Sequence, residues 1–96
     1  MNTITDTQLQ WSLIARFQLT QTESTISTYI SIGKTQAEIR SQFNLTENAL
    51  KQHLKAIYGK ILSPEIKGEK YVRLLLLLLN ERYQLGIEFN RYTRVS

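Results

Sequence analysis

The spacing of apolar residues along the chain predicts a series of amphipathic helices. Apolar positions recur three or four residues apart, as on one face of a helix, and alternation of apolar and polar residues is scarce. The spacing predicts helices over 6–17, 21–32, 36–43, 46–61 and 69–85. One proline and four glycines leave few interruptions. The pattern therefore predicts an all-α bundle of about five helices with a long, leucine-rich C-terminal helix.

Threonines mark the predicted helix starts. Three of them are followed three positions later by Glu or Gln, a capping box that satisfies two otherwise unpaired backbone N–H groups. They are Thr5, Thr20 and Thr35. Thr46 supplies a cap without the acidic or amide partner. Asn44 precedes it and suits a tight turn, because Asn tolerates the left-handed backbone conformation.

The C-terminal third is dominated by six consecutive leucines, Leu74 to Leu79. The segment 63–68 contains the proline and a glycine and is predicted to be a loop. The helix after it is expected to end at Gly86. The tail 86–96 follows, and a short strand is one option there because Ile87 and Phe89 alternate with polar residues.

A helix that is apolar on every side must be buried on every side. One face of the leucine-rich helix is expected to cover the chain's own core: Leu75, Leu76, Leu79 and Tyr83. Leu74, Leu77 and Leu78 then point away, which predicts that a second copy of the chain covers them in a two-fold homodimer. The alternative is that helix 6–17 or the tail covers them within one chain.

Composition narrows the choice of function. Twelve Lys and Arg against eight Asp and Glu give a net charge of +4, and residues 34–73 hold eight basic and four acidic side chains. This balance favours a polyanionic partner such as nucleic acid. The absence of cysteine excludes disulfides and thiolate zinc sites. Neither a leader nor a membrane span of about 20 apolar residues is expected, so a cytoplasmic protein is predicted.

Catalytic chemistry is not expected from the remaining polar residues. No glycine-rich phosphate loop, Ser-His-Asp set or paired carboxylate arrangement is present. The single histidine, His53, has no ligand-spaced partner, so we predict no metal, no cofactor and no enzyme activity. A phosphate contact or a packing role is expected for it.

The central unit is a short helix, a tight turn and a second helix, which together form a helix-turn-helix. The second helix of such a unit can lie in the DNA major groove. The outward residues of helix 46–61 include Lys51, Gln52 and Lys55, and Lys and Gln can read guanine and adenine edges. Lys34 and Lys60 lie near them in the sequence. A solvated face without function is the alternative interpretation.

Residues 19–61 resemble the LuxR/GerE-type helix-turn-helix of bacterial transcription regulators. The residues that match its motifs are Leu19, Thr20, Glu23, Gly33, Glu38, Ile39, Lys51, His53, Leu54, Ile57, Tyr58, Lys60 and Ile61. The resemblance implies base contacts from Lys51, Gln52 and Lys55. It also implies backbone contacts or helix orientation from Gln36, Thr46, Asn48 and His53, to which Lys34 and Lys60 are added as basic neighbours.

The sequence departs from this family at several positions. Arg40 stands where the family has a small residue between the two helices, and Ala37 replaces a common Lys. The family's Gly-Val-x-x-Arg turn is absent after Ile61. These departures would suit a second hypothesis, a helix-turn-helix interaction module such as an anti-activator or a phage or mobile-element protein that binds a regulator. A third reading, a fragment similar to region four of a sigma factor, would need RNA polymerase as its partner.

The first hypothesis remains a single-domain transcription regulator. In it, residues 1–18 form an extension helix, 19–62 the DNA-binding core, 69–85 the dimerisation helix and 86–96 the tail. The homodimer would bind double-stranded DNA at a palindromic site, since two-fold related recognition helices read inverted half-sites. No membrane is expected as a partner.

Overall fold

The computed structural model describes residues 5–65 and 68–93, of which residues 87–93 are described as backbone only. Every regular element within these ranges is an α-helix, so the all-α prediction is confirmed. The five helices are α1 (Asp6–Phe17), α2 (Gln21–Ser31), α3 (Gln36–Phe43), α4 (Glu47–Ile61) and α5 (Lys70–Thr93). The first four begin and end within one residue of the predicted bounds.

The predicted threonine caps start the first four helices. In α2 the Thr20 hydroxyl accepts the Glu23 N–H at 3.1 Å, and the Thr20 N–H donates to the Glu23 carboxylate at 2.9 Å. Equivalent capping boxes begin α1 and α3. Thr46 caps α4 through the Ala49 N–H at 3.1 Å. Local side-chain chemistry therefore sets these helix starts.

The last helix does not end where the sequence predicts. α5 continues through Gly86 to Thr93, so the predicted stop at Gly86 and the optional strand at Ile87–Phe89 are both wrong. Glycine ends a helix when it takes a left-handed backbone, as Gly33 does at φ 88°. Gly86 has no positive φ and lies within the helix as an ordinary residue.

The central helix of the bundle is α2, which packs against each of the other four. Three of its buried hydroxyls donate to carbonyls of their own helix: Ser24 to Gln21, Thr28 to Ser24 and Ser31 to Thr28. These short polar side chains fill little space, so neighbouring helices approach α2 closely while these three hydroxyls stay hydrogen-bonded. The buried Ser27 hydroxyl of the same helix has no hydrogen-bond partner among the described residues. The apolar core around α2 includes Leu9, Ile26 and Ile57, each 0% exposed.

The leucine run buries a different face of α5 from the one that the sequence predicts. Leu74 and Leu78 are 0% exposed in the chain's own core, and Leu77 is half-buried against it. The predicted dimer surface of Leu74, Leu77 and Leu78 is therefore wrong. Of the predicted core face, Leu75 is half-buried, whereas Leu76 and Tyr83 are 61% and 66% exposed.

The phase of α5 follows from residues outside the leucine run. Six identical side chains carry no information about which face is buried. Buried Glu81 accepts a hydrogen bond from Arg16 of α1. Arg82 donates to Asp6 at 2.9 Å and to the Ser31 hydroxyl at 2.8 Å. These polar contacts require that side of α5 to face α1 and α2.

One ion pair connects α2 to α4. The Lys60 ammonium lies 2.6 Å from the Glu23 carboxylate, whose side chain is only 7% exposed. Burial raises the pKa of Glu23, but the hydrogen bonds from Lys60 and from Thr20 outweigh it and hold this pKa below its usual 4.5. Glu23 thus both caps α2 and holds the end of α4.

We expect Glu23→Ala to lower the free energy of unfolding by about 1–3 kcal/mol, because it removes a cap and leaves Lys60 without its partner. A depressed folded pKa contributes stability above the unfolded value, so the wild-type contribution should be lost as the pH falls below 4.5. Urea unfolding at neutral pH and below pH 4.5 measures both effects.

Glu38→Ala is the matched control, since Glu38 occupies the same capping position in α3 and, among the described residues, forms an ion pair only with Lys34 just before its own helix. It should cost less than Glu23→Ala. Equal costs would show that the Lys60 pair contributes nothing.

Candidate nucleic-acid interface

The turn between α3 and α4 sets the geometry of the candidate site. Asn44 takes the left-handed conformation, with φ 54° and ψ 48°. The Leu45 N–H then donates to the Arg40 carbonyl at 2.8 Å, which closes the end of α3. Ile39 of α3 and Leu50 of α4 are buried on either side of this turn. The chain thus forms the helix, tight turn and helix that the sequence predicts.

Burial on one side of α4 defines its outer face. Its buried residues are Leu50, Leu54, Ile57 and Ile61. The three predicted base-contact residues, Lys51, Gln52 and Lys55, are all exposed. At about 100° per residue they fall within roughly a third of the helix circumference, opposite the core. The structure therefore brings these three side chains together on one accessible surface, which Asn48 extends by one turn.

The predicted backbone contacts are more scattered. Lys34 and Gln36 are exposed around the start of α3, and the Lys34 ammonium lies 4.0 Å from Glu38. The Thr46 oxygen accepts the Ala49 N–H, so its first role is to cap α4. His53 is half-buried.

Lys60 forms an ion pair between α4 and α2. Its ammonium pairs with the buried Glu23 carboxylate of α2, while its own side chain stays 36% exposed. At about 100° per residue, Lys60 lies on the side of α4 opposite Lys51. This ion pair gives Lys60 a structural contact, and its predicted contact with the DNA backbone stays a prediction. Removing Glu23 would leave this ammonium without its ion-pair partner.

Arg40 occupies the junction of the two helices. Its side chain is half-buried, and its Nε atom is buried without a hydrogen-bond partner among the described residues. Beside it, the rings of Tyr29 and Phe43 lie 5.5 Å apart and connect α2 to α3.

Two surface features were not predicted from the sequence. The first is an exposed apolar line along α5, here named the α5 stripe: Val72, Leu76, Leu79 and Tyr83. The spacing of four, three and four residues is visible in the sequence. Because leucines lie on every side of this part of the helix, the sequence does not show that this line faces outward. The second is a groove of about 320 Å³, here named the α4–α5 groove, which includes Lys55, Gly59 and Lys70 in its lining. No sequence signal predicts this junction, because it depends on how α5 packs against α4.

Other site chemistries find no support in the described parts of the chain. There, no group of three or more metal-ligating His, Asp or Glu side chains comes together. Nor does any helix in those ranges combine the length and apolarity that a bilayer crossing requires.

No protein family matches the chain, and comparisons with curated proteins and with solved structures found no similar protein. The resemblance to the LuxR/GerE helix-turn-helix thus rests on the matching residues alone. The function that this resemblance implies is therefore a proposal.

The turn itself can be tested at Asn44. Asn44→Ala should lower the free energy of unfolding by about 1 kcal/mol, because alanine is strained in the left-handed conformation. Asn44→Gly should be close to neutral, since glycine adopts a positive φ without strain. Thermal unfolding of both variants measures the difference. If alanine were tolerated as well as glycine, the left-handed turn would not be the native conformation.

Proposed function

We propose that this chain is a bacterial, cytoplasmic, sequence-specific DNA-binding transcription regulator. It binds double-stranded DNA as a homodimer at a palindromic site, with α4 in the major groove. One observation carries the proposal: Lys51, Gln52 and Lys55 share one exposed face of the helix that follows a tight left-handed turn. Such a helix is the element that helix-turn-helix proteins insert into DNA.

The electrostatic arrangement supports the same function. Among the described residues, Lys51 and Lys55 have no carboxylate within 4.0 Å, whereas Lys34 and Lys60 each have one. The basic side chains on the outer face of α4 are thus available to an external anion, whereas Lys34 and Lys60 each have a carboxylate close by. Lysine donors and a glutamine amide are the groups that read base edges.

The homodimer is proposed through the α5 stripe in place of the predicted leucines. Val72, Leu76, Leu79 and Tyr83 alternate spacings of four and three, which is the seam of a two-helix coiled coil. A second copy presents the same seam about a two-fold axis, so it matches this surface without any other component. Two recognition helices related by that axis would read inverted half-sites.

A second candidate function has its own observation. Trp11 on α1 is 67% exposed and borders, with Ile14, a hollow of about 420 Å³. Exposed tryptophans are frequent anchors of protein interfaces. This surface favours a helix-turn-helix interaction module whose partner would be another regulator or RNA polymerase. Both functions are compatible with the fold. Selection of binding sites from a DNA library distinguishes between them.

Selection from a random duplex library with the purified, folded protein should enrich an inverted repeat. Lys51→Ala should then weaken binding to that site by about 1–3 kcal/mol and relax the preference at one base position, because a base contact is lost. A titration against the selected and altered duplexes measures this. The control is Arg73→Ala, which removes an exposed charge from α5 at a residue that does not line the α4–α5 groove.

Failure of folded wild-type protein to enrich any sequence would contradict DNA reading. That outcome would favour the interaction module, and substitution of Trp11 would then become the informative change. Enrichment of a single half-site would retain the regulator and exclude the two-fold arrangement.

Dimerisation can be tested separately. The double variant Leu76→Glu, Leu79→Glu should convert a wild-type dimer into a folded monomer, because it places charge in the α5 stripe. Sedimentation gives the mass and circular dichroism the helix content. Gln84→Glu adds a charge at an exposed position beside the stripe and should leave the dimer intact. A monomeric wild-type protein would rule out the homodimer.

A further inference from the structure

The α4–α5 groove lies between the C-terminal half of α4 and the beginning of α5. It has a volume of about 320 Å³. Its lining brings together two lysines, an apolar floor and a glycine: Lys55, Tyr58, Gly59, Leu62 and Lys70. Among the described residues, no acidic side chain contributes to that lining. The groove therefore combines positive charge with apolar surface on one side of the recognition helix.

The two lysines come from different helices and border one hollow. Within residues 5–65 and 68–93, neither ammonium has a carboxylate within 4.0 Å, unlike those of Lys34 and Lys60. Neighbouring like charges disfavour each other unless an anion lies between them. The charge of this groove is thus complementary to an anionic ligand.

No contact among the described residues explains why position 59 is a glycine. Gly59 lies at an exposed position in the last turn of α4, has no positive φ, and would place an added Cβ in open space. Alanine would favour the helix here. A missing side chain on an exposed helix surface lets an external group approach the backbone closely.

We propose that the α4–α5 groove holds the sugar–phosphate backbone of the bound DNA, with a phosphate between Lys55 and Lys70. The deoxyribose packs against Gly59 and Leu62, since a sugar–phosphate unit is anionic on one side and largely apolar on the other. This inference rests on the proposed DNA binding and deepens it. It changes the role of Lys55 from base reading to backbone contact and adds Lys70 to the interface.

The position of the groove fits this role. It lies beside the same helix whose outer face carries Lys51 and Gln52, and the phosphate strands border the major groove that α4 enters. Phosphate contacts hold a protein in register while base contacts specify sequence. A backbone contact at this end of α4 would fix how far the helix enters the groove.

Lys70→Gln and Lys55→Gln test the proposal, with Arg73→Gln as the matched control. Arg73 is an exposed cation one turn along α5 that does not line the groove. Binding is titrated over a series of salt concentrations with two probes, the selected duplex and a random-sequence duplex of equal length. Each groove variant should weaken binding to both probes by a similar factor of about ten, because a phosphate contact is independent of sequence.

The salt dependence gives a second readout. Losing one phosphate contact per subunit should lower the slope of log affinity against log salt by about 0.9 per subunit. Arg73→Gln should leave the affinity and the slope near wild type. If Lys70→Gln behaves like this control while the wild type binds its site, the groove proposal fails and DNA binding stands. If Lys55→Gln alters base preference with an unchanged slope, Lys55 reads a base and the proposal also fails.

Gly59→Ala separates binding from folding. The substitution should raise the melting temperature, because alanine favours the helix and its Cβ meets no atom of the chain. It should nevertheless weaken binding to both duplexes, because the Cβ occupies the space of the sugar. A more stable variant with unchanged affinity would overturn the close approach. Failure of the wild type to bind any duplex would remove the proposed function together with this inference.

Discussion

The close packing of four helices around α2 is the constraint on which the rest of the structure depends. Because α2 contacts every other helix, it can carry few large side chains, and its buried serines and threonine meet this requirement. Each of Ser24, Thr28 and Ser31 donates to a carbonyl of α2 itself, so burial leaves these hydroxyls satisfied. The helix-turn-helix is therefore attached to a rigid central helix and not to a flexible connection.

Polar contacts orient the outer helices on this centre. Glu23 accepts from Lys60 and holds the end of α4, while Ser31 accepts from Arg82 and holds α5. Both contacts lie at the edges of the apolar core, where one partner reaches water and the desolvation cost is limited. Apolar burial supplies the driving force for packing, and the Arg82 contact favours one rotation of α5, whose leucines offer similar apolar area on every side.

The orientation of α4 connects fold to function. With Leu50, Leu54, Ile57 and Ile61 inward, the side chains that can recognise an external partner are left on one surface. Lys60 pairs with Glu23 on another side of α4, whereas the packing of α5 adds Lys70 beside Lys55 at the α4–α5 groove. The charge available to a ligand thus differs from the charge counted along the chain, because some lysines serve the fold.

Local chemistry explains what could be predicted from residues alone. The capping boxes at Thr5, Thr20 and Thr35 and the left-handed turn at Asn44 involve neighbours along the chain, so helix starts and the turn were correctly predicted. The outward face of α4 also follows from its own periodicity. The rotation of α5 does not, because six leucines offer the same apolar surface on every side.

That rotation was decided by Glu81 and Arg82 meeting α1 and α2, residues more than 50 positions away along the chain. The same packing created the α4–α5 groove and left the α5 stripe exposed. Helix identity and capping are short-range properties, and they can be read from the order of residues. The faces that helices bury and the surfaces that they leave open depend on contacts between distant segments, which exist only in the folded chain.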